Sequence, residues 1–86
     1  MTSIRAAHGV RWVVGRVSLT VLDAAGTSTR LSYPEAAIWD LISRGRTPAE
    51  AAARLVSIAS VETHAAEDAV RRAIEDWLAS GLIVRV

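Results

Sequence analysis

The residues of this chain that could do chemistry are two histidines, a scatter of serines and nine acids, and their spacing argues against each reaction in turn. His8 lies near the amino terminus and His64 at an expected helix start, and the chain has no cysteine, so no set of ligands converges to hold a metal. Ser32, Ser57, Ser60 and Ser80 fall at caps, helix ends or loops, with no histidine in an order that would make one of them a nucleophile. Glu35 and Glu50 follow Ser32 and Thr47 at the spacing of helix capping, not of a carboxylate pair for acid–base work. Gly15, Gly26, Gly45 and Gly81 are isolated, so no glycine-rich loop cradles a phosphate. The expectation is a protein that is not an enzyme, with no metal and no cofactor, whose chemistry is recognition.

Recognition then has to come from the elements themselves. Val10-Arg11-Trp12-Val13-Val14 alternates, and Gly15-Arg16 suits a two-residue type II′ link to Val17-Ser18-Leu19-Thr20-Val21-Leu22. That link pairs Val14 with Val17, Trp12 with Leu19 and Val10 with Val21. Ala24-Ala25-Gly26 has glycine where a three-residue hairpin wants a left-handed residue, which sets Leu31 opposite Leu19 and Thr29 opposite Val21. Both registers put Val10, Trp12, Leu19, Val21, Thr29 and Leu31 on one face and Arg11, Thr20 and Arg30 on the other. The fold class is α+β: a three-stranded antiparallel sheet followed by three helices, resembling a winged helix-turn-helix.

The helices are clearly punctuated. Ser32 with Glu35 has the pattern of a capping box, and Ala37, Ile38, Leu41 and Ile42 form an inward stripe that Gly45 ends. Thr47, Pro48 and Glu50 make the second helix start, with Ala49, Ala52, Ala53 and Val56 facing inward. Thr63 is the expected cap of a third helix striped by Ala66, Ala69, Val70, Ala73, Ile74 and Trp77 and closed at Ser80-Gly81. Leu82 to Val86 forms either a short closing strand or an anchoring tail. Trp12 and Trp77 read as core, whereas Trp39 either packs on the sheet or lines a surface contact.

Charge narrows the partner. The ten basic residues, all arginine, against nine acids leave a net charge of +1. From His64 to Ser80 two arginines face four acids at helical spacings of four, so the third helix repels phosphate on balance and nucleic acid is disfavoured. Arg16 and Arg30 keep a DNA-binding winged helix as an alternative. The absence of cysteine and of any long apolar run points to a cytoplasmic protein without a membrane span. With 86 residues, one domain over residues 1–86 is expected.

In this order the strand Thr27 to Leu31 is a sheet edge. It is either merely solvated or a place where another extended chain can add. A family resemblance bears on that choice. Leu19-x-Val21-Leu22-Asp23, the glycine turn, Arg30-Leu31-Ser32, Ala36-Ala37-Ile38-Trp39-Asp40-Leu41-Ile42, Gly45, Arg46-Thr47-Pro48-x-Glu50-x-Ala52 and Leu78-x-x-Gly81-Leu82-Ile83 resemble the PqqD-like family. Its members are RiPP recognition elements, winged-helix-like domains that bind leader peptides of ribosomally made, post-translationally modified peptides. The likeness spans about residues 10 to 84 and departs at Tyr33-Pro34, where the family usually has polar residues.

The resemblance implies a precursor leader peptide that adds as a strand to Thr27, Ser28, Thr29, Arg30 and Leu31. Its side chains would enter a groove walled by Ala66, Ala69, Val70, Ala73 and Ile74, unless those alanines serve only close helix packing. Arg30 and Arg71 would steer acidic leader residues. The second partner it implies is a modifying enzyme or leader peptidase, such as a radical SAM protein, a peptidase or a cyclase. A subunit or homodimer pairing through the same edge is the structural alternative.

Overall fold

A computed structural model describes residues 3–86. Among these residues five strands and three helices follow one another: β1 (Ile4–Ala6), β2 (Arg11–Val14), β3 (Leu19–Leu22), β4 (Ser28–Leu31), α1 (Glu35–Ser43), α2 (Pro48–Ala59), α3 (Thr63–Ser80) and β5 (Ile83–Arg85). β2, β3 and β4 form the expected antiparallel meander in that order, and β1 pairs with β5 in a separate two-stranded ribbon.

The second hairpin keeps its expected register, Leu19 opposite Leu31 and Val21 opposite Thr29. Its turn is tied by the Asp23 carboxylate, which accepts from the Ala25 and Thr27 amides at 2.9 Å each, while Gly26 takes a left-handed φ of 88°. The first hairpin is displaced by two residues from expectation, with Val14 opposite Leu19 and Trp12 opposite Val21. Its link is Arg16-Val17, not Gly15-Arg16, because the Gly15 amide donates to the Ser18 carbonyl at 2.7 Å. A Cβ on Gly15 would stand 2.8 Å from that oxygen, so glycine serves close approach there and not a left-handed turn. A shift of two preserves the faces, and Leu19, Val21 and Leu31 stay in the core.

Two helix caps differ from expectation. α1 starts at Glu35 with Pro34 in the capping position and no side-chain cap, so Ser32 and Glu35 form no capping box. A cap at Ser32 would make Tyr33 helical, and a residue before proline is pushed out of that region. The Ser32 carbonyl still accepts from the Ala36 amide at 2.8 Å, and the Tyr33–Pro34 bond is cis. Glu62 caps α3 by accepting from the His64 amide, and Thr63 is the first helical residue. The α2 start is as expected: Thr47 accepts from the Glu50 amide at 3.1 Å and Glu50 from the Thr47 amide at 2.9 Å.

α2 is also rotated by about one residue from its expected stripe. Ala51, Ala52 and Leu55 are buried, whereas Ala49 and Ala53 are exposed. Burying leucine removes more apolar area from water than burying alanine, so Leu55 sets the inward face. On α1 the buried residues are Ile38, Trp39 and Ile42. Trp39, 1% exposed, stands edge-to-face between Trp12 and Trp77, with ring centroids 5.6 and 5.1 Å away. Sheet, first helix and third helix are thereby joined through one aromatic column.

Candidate functional site

The C-terminal segment decides whether the sheet edge is open. Leu82 to Val86 could have covered β4, but β5 goes to the amino-terminal ribbon, with Ile4 opposite Arg85 and Ala6 opposite Ile83. Further bonds between Ser3 and Val86 and between Ala7 and Leu82 extend that pairing. Among the described residues β4 pairs with β3 alone.

The register also tells which β4 groups are free. In an antiparallel pair, opposed residues alternate between exchanging main-chain bonds and not exchanging them. The Asp23 amide donates to the Thr27 carbonyl at 3.0 Å, which makes that pair a bonded one. Val21 with Thr29 and Leu19 with Leu31 are therefore bonded as well, and Leu22–Ser28 and Thr20–Arg30 are not. The amides and carbonyls of Ser28 and Arg30 point away from β3. Of the five residues expected to offer a ladder, Thr27, Thr29 and Leu31 spend theirs inside the fold.

The expected groove wall is distributed differently. Ala66, Val70, Ala73 and Ile74 are buried in the common core, as the packing alternative for this helix requires, and Ala69 is half-buried. Val70 and Ile74 also line an open hollow of about 390 Å³ with Pro48, Ala52 and Ile4, between α2, α3 and the ribbon. At about 100° per residue, Ala69 lies on the opposite flank of α3 from that hollow. Arg71 belongs to the hollow's side and is held by Asp68 and by Glu75, the latter at 3.0 Å. That contact with Arg71 holds the Asp68 carboxyl below the ordinary carboxylate range. Arg72 also pairs with Asp68, at 2.7 Å, so both α3 arginines are neutralised by their own helix. Arg30 differs: its side chain is exposed and, among the described residues, its one hydrogen bond goes to the Ser18 hydroxyl, at 3.1 Å.

The ribbon and its hollow were missed by sequence reasoning, because Ile4-Arg5-Ala6 is too short to carry a period. The restriction to Ser28 and Arg30 was available, since the turn that fixes register also fixes which pairs are bonded. Among the described residues no group of histidine, acid or cysteine side chains could hold a metal, and no helix is long and apolar enough to cross a membrane.

The family model for coenzyme PQQ synthesis protein D (PqqD) matches residues 21–83. The chain belongs to the PqqD family. The match runs from β3 through β5, so the open edge of β4 and all three helices are PqqD elements. No curated protein sequence matches the chain. Two solved structures share the PqqD-like fold seen here. One is TbiB1 in complex with the TbiA(β) leader peptide, with a TM-score of 0.86 and 20% identity over 92% of this chain and 93% of that one. The other is lasso peptide synthetase B1 complexed with the leader peptide, with a TM-score of 0.86 and 22% identity over 95% of this chain and 98% of that one.

Proposed function

We propose that this PqqD-family chain is a non-catalytic protein of RiPP biosynthesis that captures a precursor's leader peptide by strand addition at β4. The observation that carries the reading is the outward row of main-chain groups at Ser28 and Arg30, left unpaired among the described residues while β5 serves β1. The two similar structures were solved with a leader peptide bound, which supports the same occupant here.

In this reading the leader pairs antiparallel to β4. Thr27, Thr29 and Leu31 hold the template strand in place, and Ser28 and Arg30 make the new bonds. Ala69 and the margin of Ala73 would receive the leader's apolar side chains, with Ala66, Val70 and Ile74 supporting that wall from beneath. Steering of acidic leader residues falls to Arg30, since Arg71 already has two carboxylate partners. Holding the leader raises the effective concentration of the attached core peptide at a partner enzyme such as a radical SAM protein, a peptidase or a cyclase. The residues of one cytoplasmic domain suffice for this task.

The test is a titration of the leader peptide from a neighbouring precursor into isotopically labelled protein, following backbone amides. The reading expects the largest changes at Ser28 and Arg30. Saturating leader that leaves residues 27 to 31 unmoved refutes it.

A further inference from the structure

The sheet has a second open edge, and its chemistry differs from that of β4. The Gly15–Ser18 bond fixes the alternation along β2: Val13–Thr20 and Arg11–Leu22 are bonded pairs, whereas Trp12–Val21 and Val14–Leu19 are not. The amides and carbonyls of Trp12 and Val14 therefore point outward, and no main-chain partner meets them among the described residues. β4 presents serine, threonine and arginine, but this edge is apolar. Val13, Val14 and Val17 are 63%, 70% and 80% exposed. Soluble proteins commonly blunt a bare edge with charge, proline or a cover, and here the only charge in the strand is Arg11.

Along the sheet segment itself the charge is of one sign; Asp40 of α1 borders the turn at Arg16 but is paired with Arg44 at 3.1 Å. From Ser3 to Pro34 the chain has four arginines and a single acid, Asp23, whose carboxylate is engaged by two amides of its own turn. Arg11 and Arg30 share the outer face of the sheet, Arg16 sits in the adjoining turn, and none of the three has a carboxylate partner among the described residues. The acids are concentrated in the helical half. An antiparallel second copy centred on Val13 would set Arg11 opposite Gly15 of its mate and thus beside the mate's Arg16, twice over, and the one acid bordering that turn, Asp40, is already paired with Arg44. The charge pattern speaks against self-pairing.

We infer that β2 is a second docking edge, which takes an edge strand of a partner protein carrying glutamate or aspartate among apolar β-formers. Trp12 and Val14 supply the main-chain bonds, Val13 and Val17 the apolar contact, and Arg11 and Arg16 the charge complement. β2 and β4 flank β3 at a separation of about 10 Å, two strand spacings, so both edges can be occupied at once. Their occupation is read at different amides, and loss of one does not imply loss of the other.

The probe is a short capped peptide alternating valine with glutamate, titrated into the labelled full chain, with a valine–lysine peptide as control. The expected result is a shift of the Trp12 and Val14 amides by the acidic peptide alone, weakened by salt. Arg11→Glu should weaken it roughly tenfold, the equivalent of about 1.4 kcal/mol. Val14→Pro, which deletes an outward donor without touching the β2–β3 bonds, should abolish it. Unmoved β2 amides, shifts confined to Ser28 and Arg30, or equal binding of the lysine peptide would overturn the inference. So would concentration-dependent dimerisation that Val14→Pro abolishes, because the occupant would then be a second copy.

Discussion

Proline substitutions at neighbouring positions of β4 should have opposite consequences. Proline removes an amide donor, and a sheet tolerates it where that donor faces outward. At Thr29 the lost donor is the one bonded to the Val21 carbonyl, and Val21 has no exposed surface. Leaving that carbonyl unpaired costs about 1–3 kcal/mol. For a domain of this size each kcal/mol lowers Tm by roughly 4–8 °C, so Thr29→Pro should melt about 5–20 °C lower. At Ser28 the donor faces solvent, and Ser28→Pro should keep Tm within a few degrees. Its cost appears on binding, where a leader carbonyl loses its donor: about 1–3 kcal/mol, or a complex weaker by roughly 5- to 150-fold. Circular dichroism melts and leader titrations of both variants measure the two effects separately. Equal melting of the variants, or a stable Thr29→Pro beside an unfolded Ser28→Pro, would refute the assigned alternation.

Gly15→Ala should force the first turn open, since the added Cβ would meet the Ser18 oxygen at 2.8 Å; a cost of about 1–3 kcal/mol and amide shifts confined to the β2–β3 link are expected. Trp39→Ala should cost about 3–5 kcal/mol and erase the near-ultraviolet circular dichroism of the aromatic column, measured by denaturant unfolding and spectroscopy. The Glu50 carboxyl lies below the ordinary carboxylate range because its bond from the Thr47 amide favours the charged form, with help from the Thr47 hydroxyl side and Arg46. Its stabilisation is therefore present above that ordinary range and is lost as pH falls through the lowered value, so Glu50→Gln should flatten the acid limb of a Tm-against-pH profile. Arg30→Ala should weaken binding of a leader with acidic residues and reduce its salt dependence, read by titration at low and high salt.

Local chemistry made part of this fold legible. Asp23 and Gly26 specify one turn, and hence the β3–β4 register, from residues adjacent in sequence. Thr47, Pro48 and Glu50 likewise specify a helix start within one turn of chain. Where two signals compete, sequence alone chose wrongly: Ser32 and Glu35 have the cap spacing, but Pro34 between them denies Tyr33 the helical conformation. Gly15 is a similar case, since a glycine required by close approach looks the same as one required by a left-handed turn. The α2 face turned on Leu55, whose apolar area outweighs that of the alanines in the expected stripe. The β1–β5 ribbon joins opposite ends of the chain, and nothing within Ile4-Arg5-Ala6 announces its partner. Trp39 shows the same dependence, because its place between Trp12 and Trp77 exists only after three elements have met.

The candidate site divides along the same line. That β4 is an edge followed from strand order, whereas the restriction from five ladder residues, Thr27 to Leu31, to Ser28 and Arg30 came only with the observed bond between Asp23 and Thr27. The helix wall depended on packing, and there burial of Ala66, Val70, Ala73 and Ile74 left Ala69 as the half-exposed member.

Amide hydrogen exchange, with and without the leader peptide, reaches the central claim most directly. In the free protein the Thr29 and Leu31 amides should exchange slowly and those of Ser28 and Arg30 quickly; saturating leader should slow the latter pair to the level of their neighbours. Ser28 and Arg30 amides that are already protected in the free chain, or that stay unprotected in the complex, would contradict it.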